Sequence, residues 1–474
     1  MEFKDKTITC CDCHEDFTFT AGEQEFYQMK GLTNEPKRCK ACRDKKKQAR
    51  AERERKNVKK EKIIITTSKK LIFCQFFLLI FRNFVYTIGK DGGKMKKISI
   101  IALHLGYGGV EKSISTLANL LATTPDIEIE IASVYELYDK PVFPLDDKIK
   151  VKYLLEKGIK SNEKEWRESL KKVRPITFVK ESFKSLKILH LRRKEVINYI
   201  KETDADVIIS TRVLFNELVG LYAKDNVLKI GWEHNHYHND MKYAMDVVAS
   251  AKKLDYFILV SKDLQKFYRK ELLEYKVKCV YIPNTLENIP KTKSTLTAKR
   301  IVSVGRLSKE KGYLSLLEIY SDVIKKHPDW VLDIIGDGKE KATLEAYIKK
   351  HNLEDKVTLH GFQNSEYINN IMHKSSIYVM TSYTESFGIV LLEAMSNGLP
   401  CLAFDSAEGA KEIITSGRDG YLIRHRNHKM MANKINDLIK DSDKRKELGS
   451  AGRRKIKNYS KDKVLEQWLK IINK

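Results

Sequence analysis

Two glutamates, Glu385 and Glu393, stand in a stretch whose residues could hold a phosphate group, "ESFGIVLLE". Apolar residues recur every three or four positions from about Gly388, which predicts a helix that begins there. The first backbone N–H groups of a helix have no partner within it, and they attract anions. The spacing therefore places one carboxylate before a phosphate-binding helix start and the other more than a turn inside the helix.

Two cations precede this stretch, Arg306 and Lys311 in "GRLSKEKG". They suit a diphosphate and the charge that develops on it as a leaving group, although ordinary surface cations are the alternative. An earlier Gly-rich loop, "GYGGVEK", supplies Gly108 and Gly109 but has Glu111 where the dinucleotide-binding fingerprint needs a third glycine. A dinucleotide site is therefore disfavoured, whereas close backbone approach to a ligand and a simple tight turn both remain open.

Four cysteines near the start of the chain have the spacing of a structural zinc site. Cys10 and Cys13 form one CxxC pair, and Cys39 and Cys42 form a second pair after 25 further residues. Four thiolates complete a closed, tetrahedral zinc site. Cys11 is not expected to be a ligand, because its neighbours already give the usual two-residue gap. Four unrelated thiols are the alternative.

The composition is that of a basic globular protein. With 474 residues, 42% of them apolar, the chain is long enough for about three domains with ordinary cores. Lys and Arg (88) exceed Asp and Glu (63), and the formal net charge of +25 favours anionic partners such as nucleic acid, lipid headgroups or phosphorylated substrates. The first residues lack the pattern of a secretory signal, so we expect a cytoplasmic location.

From Met95 onward, short apolar strands alternate with helical patterns, which predicts parallel α/β sheets. The alternation breaks at residues 282–300, and their Pro, Thr, Asn and Lys content predicts a linker between two α/β domains. We expect the N-terminal domain over residues 95–285 and the C-terminal domain over residues 286–474. Ligands of such sheets bind beyond the carboxyl ends of the strands, where the motifs above lie.

Together, "GRLSKEKG" and "ESFGIVLLEAMSNGLP" resemble the retaining nucleotide-sugar glycosyltransferases of family 4, from about Met95 to the C-terminus. The resemblance implies a GT-B fold, in which two Rossmann-like domains face a cleft. It implies transfer of a hexose from a UDP- or GDP-sugar to a glycan or lipid-linked acceptor, with retention at the anomeric carbon. It also implies a part in the biosynthesis of cell-surface polysaccharide, without a catalytic metal.

The same resemblance implies a role for each residue of the site. The implied catalytic residues are Glu385, Arg306, Lys311 and His234. The implied donor-binding residues are Gly108, Gly109, Ser386, Phe387, Gly388 and Glu393. In these roles Arg306 and Lys311 hold the diphosphate together with the backbone N–H groups of residues 386–388. Glu385 lies beside the transferred sugar, and Glu393 binds the ribose hydroxyls.

Three histidines alternate with other residues in "WEHNHYHN". At this spacing His234, His236 and His238 could ligate a metal, although a polar loop is the commoner outcome. Family members often carry a histidine here that faces the donor sugar. The resemblance therefore implies His234 as a site residue.

The segment around the four cysteines resembles small bacterial zinc-ribbon domains, and we expect this domain over residues 1–62. Its basic tail, residues 37–62, has 14 Lys and Arg against four Asp and Glu, and either contact with nucleic acid or a solvated helix fits it. Residues 63–94 are predicted to be an apolar junction or linker, because their uncharged run at 71–81 is too short to span a bilayer. A membrane-anchoring or docking helix is the alternative.

A second basic stretch, residues 156–201, holds 14 Lys and Arg and six Asp and Glu. Its interleaved apolar residues are Trp166, Phe178, Phe183, Leu186, Ile188 and Leu189. Such a surface could lie on anionic lipid, giving a peripheral contact at the inner face of the membrane. Packing of these residues into the domain is the alternative.

The rival to an enzyme is a zinc-ribbon protein for nucleic-acid binding or another interaction, with a catalytically idle GT-B scaffold. Only the enzyme needs Glu385, Glu393, Arg306 and Lys311 at once. The sequence therefore favours a glycosyltransferase of the hexosyltransferase class with a fused structural zinc domain, and nucleic acid is not expected as its partner.

Overall fold

The computed structural model describes residues 3–30, 34–45, 95–172, 174–238, 240–286 and 288–474. The chain divides into two compact units, Met1–Gly93 and Lys94–Lys474. The predicted junction at residues 63–94 lies outside the described residues, and so does most of the predicted basic tail.

The first unit begins with an antiparallel hairpin, β1 (Lys6–Thr9) and β2 (Asp16–Phe19). A helix follows at Ala21–Met29, and Thr20 caps it in a capping box with Glu23. Residues 40–45 are also helical. The first CxxC pair therefore lies in the turn of the hairpin, and the second lies where this later helix begins.

The second unit contains two wholly parallel sheets, as predicted. Their strands are near-continuous apolar runs such as "ISIIA", which is typical of strands that are buried on both faces. The seven strands of the first domain are β3 (Lys96–Ala102), β4 (Ile127–Ser133), β5 (Lys150–Tyr153), β6 (Val207–Ser210), β7 (Leu228–Glu233), β8 (Tyr256–Leu259) and β9 (Lys278–Tyr281). The six strands of the second domain are β10 (Arg300–Val304), β11 (Val331–Ile335), β12 (Val357–Leu359), β13 (Ile377–Met380), β14 (Cys401–Phe404) and β15 (Gly420–Ile423).

Helices connect these strands. Those of the first domain are Gly109–Ala122, Glu163–Lys171, Pro175–Glu202, Val213–Tyr222, Met241–Ala251 and Lys262–Glu271, with a 3₁₀ turn at Leu273–Tyr275. Those of the second domain are Tyr313–Ile324, Lys341–Lys350, Ser365–His373, Ile389–Ser396, Glu408–Ile413, His428–Lys440, Ser442–Lys455 and Lys461–Ile472, with 3₁₀ turns at Lys309–Lys311, Arg424–Arg426 and Ile456–Tyr459.

The strand order of each sheet reverses at its centre. The first sheet runs β5-β4-β3-β6-β7-β8-β9, and the second runs β12-β11-β10-β13-β14-β15. The connections that follow the two strands at such a point run to opposite sides, so the loops beyond the carboxyl ends of the strands separate and leave a crevice. The sheets therefore offer one crevice at β3 and β6 and another at β10 and β13.

The backbone crosses between the two domains twice. One crossing is the segment between β9 and β10, whose described part contains no helix or strand. The C-terminal helix Lys461–Ile472 returns to the first domain, where the ring of Trp468 lies 5.2 Å from that of Trp232. The two crossings touch each other, because Thr285 Oγ1 donates to the Tyr459 carbonyl at 2.6 Å.

Candidate active site

The three predicted loops follow the central strands at which the sheets reverse. The Gly-rich loop follows β3, "GRLSKEKG" follows β10, and "TSYTESFG" follows β13. The Gly-rich loop reaches the second domain, because the ring of Tyr107 lies 4.2 Å from the ring of Phe362. The structure therefore gathers the predicted loops between the two domains.

The "ESFG" segment forms a tight turn into the helix Ile389–Ser396, which begins where it was predicted. Gly388 caps this helix with a φ of +88°, in the left-handed region that favours glycine. Gly409 supports the turn from behind. Its N–H donates to the Glu385 carbonyl at 2.6 Å, and a Cβ there would lie 2.4 Å from the backbone of Phe387. The backbone of the predicted phosphate cradle is thus held in one shape.

Lys311 and Glu385 form the charged pair of the site. Lys311 Nζ lies 2.5 Å from Glu385 Oε2, and both side chains are mostly buried. Lys311 is the last residue of the 3₁₀ turn Lys309–Lys311. Arg306 is exposed at the start of the same loop. The structure therefore joins one predicted cation to the predicted sugar-side acid and leaves the other cation open to solvent.

Arg426 holds the loop that carries Glu385. Its guanidinium donates to the carbonyls of Thr381 and Ser382 at 3.0 and 2.8 Å and lies 3.5 Å from the centroid of the Tyr383 ring. Gly312 has a φ of +67°, and a Cβ there would lie 2.3 Å from the Thr381 carbonyl oxygen. Sequence reasoning missed Arg426, because it stands in a polar loop without a motif.

Glu393 is paired across the two domains. Lys112, in the first helix of the first domain, forms an ion pair with Glu393 Oε1, and both side chains are mostly buried. The predicted ribose-binding acid is therefore held by a cation that sequence reasoning missed. A single lysine inside "GGVEKS" carries no signal of such a distant contact.

Glu111 explains why the Gly-rich loop departs from the dinucleotide-binding fingerprint. Its carboxylate is buried and accepts a hydrogen bond from Arg212 Nη2 at 3.0 Å. A Cβ on Gly108 would lie 2.0 Å from Glu111 Oε2, whereas a Cβ on Gly109 would meet open space. A side chain at position 108 would therefore displace the Glu111 carboxylate from its present place, and Gly109 leaves room beside the crevice. Arg212 was not predicted, although it follows the carboxyl end of β6, where site residues are expected.

His234 is buried against the ring of Trp232, with ring centroids 4.2 Å apart. Burial and the nearby charge of Arg212 lower the pKa of His234 to about 3, so its ring is neutral at physiological pH. Its Nε2 is buried and has no hydrogen-bond partner among the described residues. Buried polar atoms normally have partners, so this nitrogen is free to bond a ligand hydroxyl.

Two of the three histidines, His236 and His238, form a possible metal-ligand group with Glu408 among the residues that the structure describes. His234 is not part of this group. The group's ligand atoms lie within 4.8 Å of one another. His238 Nδ1 lies 3.2 Å from Glu408 Oε2, and the His236 backbone N–H donates to Ser386 Oγ at 2.9 Å. This group could hold a divalent cation, yet the His238–Glu408 contact also joins the two domains without one. Sequence reasoning gave Glu408 no role.

Glu233, beside His234, is a fully buried acid. Desolvation raises the pKa of Glu233 to about 7, although its Oε1 accepts hydrogen bonds from the Asn235 backbone N–H at 2.7 Å and the Tyr243 hydroxyl at 3.2 Å. A strongly shifted pKa at such a place marks a candidate functional residue. Sequence reasoning missed it, because an acid at the end of a buried strand matches no motif.

In the first unit, the sulfur atoms of Cys10, Cys13, Cys39 and Cys42 lie within 4.8 Å of one another. Backbone N–H groups, that of Cys13 above all, lower the pKa of Cys10 to about 6, whereas the side chain of Cys39 raises the pKa of Cys42. Cys11 is exposed and stands outside this group of described cysteines, as predicted. The four cysteines therefore fit a structural zinc ion.

Two protein families match the chain, one in each unit. Residues 284–455 match the family described as glycosyl transferases group 1. The chain carries a glycosyltransferase domain. Residues 4–51 match a probable treble clef domain, which contains all four predicted zinc ligands. This confirms the predicted small N-terminal domain, as a treble clef domain in place of the predicted zinc ribbon, and its four clustered cysteines suggest a structural zinc ion.

Individual relatives match the second unit. An uncharacterized glycosyltransferase of Haemophilus influenzae is 27% identical over 386 residues, which are 80% of this chain and 100% of that protein. The poly(ribitol-phosphate) alpha-N-acetylglucosaminyltransferase of Staphylococcus aureus is 27% identical over 258 residues, 52% of this chain and 51% of that protein. The crystal structure of the pneumococcal O-GlcNAc transferase GtfA in complex with UDP and GlcNAc has a TM-score of 0.63 at 17% identity, covering 80% of this chain and 99% of that one.

These matches confirm the predicted GT-B fold. They confirm the predicted glycosyltransferase at the level of the family. The retaining mechanism, the donor and the acceptor stay predictions. In the part of the chain that the structure describes, no helix combines the length and the apolar character needed to cross a bilayer.

Proposed function

We propose that this chain is a retaining glycosyltransferase that moves a hexose from a UDP- or GDP-sugar to a glycan or lipid-linked acceptor of cell-surface polysaccharide. The Lys311–Glu385 pair beside the supported "ESFG" turn carries this proposal. In a sugar diphosphate, the phosphates would be stabilised by the cation and the sugar hydroxyls could donate hydrogen bonds to the neighbouring acid. The relatives that act on polymers or bind UDP support the same class of reaction.

Each residue of the site has a place in this proposal. The groups proposed to bind the diphosphate are the side chains of Arg306 and Lys311 and the backbone N–H groups of Ser386, Phe387 and Gly388. Glu385 lies beside the transferred sugar, and neutral His234 bonds a sugar hydroxyl from the first domain. Glu393 binds the ribose hydroxyls and shares its carboxylate with Lys112. Gly108 and Gly109 leave room for the donor along the crevice.

The proposed step is a displacement on one face of the sugar. The bond from the anomeric carbon to the diphosphate breaks with its electron pair on the phosphate oxygen, and Lys311 and Arg306 stabilise the charge that grows there. The acceptor hydroxyl forms its bond on the same face and passes its proton to the departing phosphate oxygen. The anomeric configuration is therefore kept.

A panel of UDP- and GDP-sugars tests the proposal. The pure full-length protein should release nucleoside diphosphate from one of them in the presence of a glycan or lipid-linked acceptor, and NMR of the product should show the donor's anomeric configuration. Release from no donor, together with nucleic-acid binding, would support the idle-scaffold alternative. An inverted product would contradict the retaining mechanism alone.

We further propose that the reaction takes place at the cytoplasmic face of the membrane. A nucleotide sugar and a lipid-linked acceptor are both available there. Nucleic acid is not a proposed partner of the enzyme.

A further inference from the structure

The long helix Pro175–Glu202 exposes an apolar stripe along its N-terminal half. Ile176, Val179, Phe183 and Leu186 are 85, 52, 70 and 63% exposed. Their spacing of three, four and three residues puts all four on one side of the helix. We call these four residues the apolar stripe. Such large side chains are normally covered when they stand together, so the stripe is a candidate interaction surface.

The domain covers a different side of this helix. The short helix Glu163–Lys171 packs there, with the Trp166 ring 5.6 Å from the Phe178 ring. Trp166 Nε1 also donates to Ser182 Oγ at 3.0 Å. Packing within the domain, the alternative for this basic stretch, therefore holds for Trp166 and Phe178. It does not hold for the apolar stripe.

Lysines border the stripe along one edge. Lys180, Lys184 and Lys187 are exposed, and each follows a stripe residue by one position. The single acid among residues 176–189 is Glu181, which accepts a hydrogen bond from Asn162 at 2.9 Å on the covered side. The stripe is therefore bordered by three lysines, whereas the one acid of this half-helix lies on the covered side.

We propose that the apolar stripe docks on an anionic lipid surface. Its side chains enter the boundary between headgroups and acyl chains, while the three lysines meet anionic headgroups. A second copy of the chain is a poorer occupant, because pairing two such helices along the stripe would bring lysines to the seam without acids to balance them. The proposal rests on the proposed function only in giving the enzyme access to a lipid-linked acceptor.

Vesicle co-sedimentation of the full-length, zinc-loaded protein tests this docking. We expect binding to vesicles of phosphatidylglycerol and phosphatidylcholine, and much weaker binding to phosphatidylcholine alone or in high salt. Lys180→Ala/Lys184→Ala/Lys187→Ala should weaken binding roughly 100-fold, since each lysine near an anionic surface contributes about fivefold. The matched control, Lys339→Ala/Lys349→Ala/Lys350→Ala, removes three exposed lysines of the second domain and should bind like wild type.

A second variant, Ile176→Ser/Phe183→Ser, removes apolar contact and keeps the charge. It should also lose vesicle binding, while donor turnover with a soluble acceptor stays at the wild-type rate in both stripe variants. That pair of readouts separates a failure of docking from a failure of the proposed enzyme. Equal vesicle binding by wild type and both stripe variants would overturn the proposal.

Two measurements test the other occupants of the stripe. In the first measurement, light scattering compares the wild type with the stripe variants. A dimeric wild type and monomeric stripe variants, with vesicle binding unchanged in the variants, would assign the stripe to a second copy. A Phe183→Trp variant should shift its emission to the blue only after vesicles are added. A blue-shifted emission before that addition would show that another part of the chain already covers the stripe, and it would overturn the proposal.

Discussion

Replacing Lys311 with alanine is expected to lower kcat for sugar transfer by roughly 100-fold. Lys311 Nζ lies 2.5 Å from Glu385 Oε2, with side chains 24 and 16% exposed. The substitution therefore removes a positive charge and leaves a mostly buried carboxylate without its cation beside the proposed diphosphate position. Loss of one electrostatic contact to a developing charge costs about 3 kcal/mol, which is roughly 100-fold in rate. Repulsion by the unpaired carboxylate adds to this loss.

The rate is measured as nucleoside diphosphate release from the best donor of the panel. Lys309→Ala is the matched control, because it removes an exposed lysine from the same 3₁₀ turn and should leave kcat unchanged. The double variant Lys311→Ala/Glu385→Gln removes the repulsion between the unpaired Glu385 carboxylate and the diphosphate. It should therefore bind the donor more tightly than Lys311→Ala alone. A folded Lys311→Ala protein with the wild-type kcat would refute the assignment of Lys311 to the leaving group.

The other predictions concern the ribose site, the zinc, a buried acid and the second unit. Glu393→Ala should weaken donor binding in calorimetry, whereas the exposed control Glu345→Ala should not; unchanged affinity would give Glu393 a structural role. Metal analysis after reducing purification should find about one zinc per chain in the wild type and none in Cys39→Ser. Removal of the zinc by a chelator should leave sugar transfer largely intact. A content near two metal ions per chain would assign a cation to His236, His238 and Glu408. Burial raises the pKa of Glu233 to about 7, so the folded protein keeps a proton that the unfolded chain loses, and stability falls as pH rises from about 4.5 to 7. Glu233→Gln should remove up to about 3 kcal/mol of this fall in urea unfolding curves, and identical pH profiles would contradict the shift. A chain that begins at Met95 should unfold cooperatively and keep its donor affinity; loss of both would show that preceding residues complete the enzyme.

Features that depend on local spacing were predictable from the sequence. The helix after Gly388, the alternation of strands and helices and the two CxxC pairs each follow from residues that are close along the chain. The crevice positions were also predictable, because a parallel sheet places its binding loops beyond the carboxyl ends of its strands.

Features that depend on pairs of distant residues were not predictable. Lys112 meets Glu393 from 281 positions away, and Arg426 meets Thr381 from 45 positions away. Neither cation belongs to a motif, and each resembles many other cations in this basic chain. The raised pKa of Glu233 likewise comes from burial, which no spacing in the sequence reports. The apolar stripe shows the reverse case, because its heptad-like spacing is local but its exposure depends on what the domain leaves uncovered.

The hydrogen bond between Thr285 and Tyr459 limits how the two domains can move apart. Both backbone crossings pass this contact, so an opening of the crevice would be a rotation about this end of it. Such a rotation moves the far end of the crevice most and the pivot least. Trp232 is held by Trp468 beyond the second crossing, and it precedes Glu233 and His234 in sequence. Because the helix that carries Trp468 packs against the first domain, Glu233 and His234 would keep this neighbour when the angle between the domains changes.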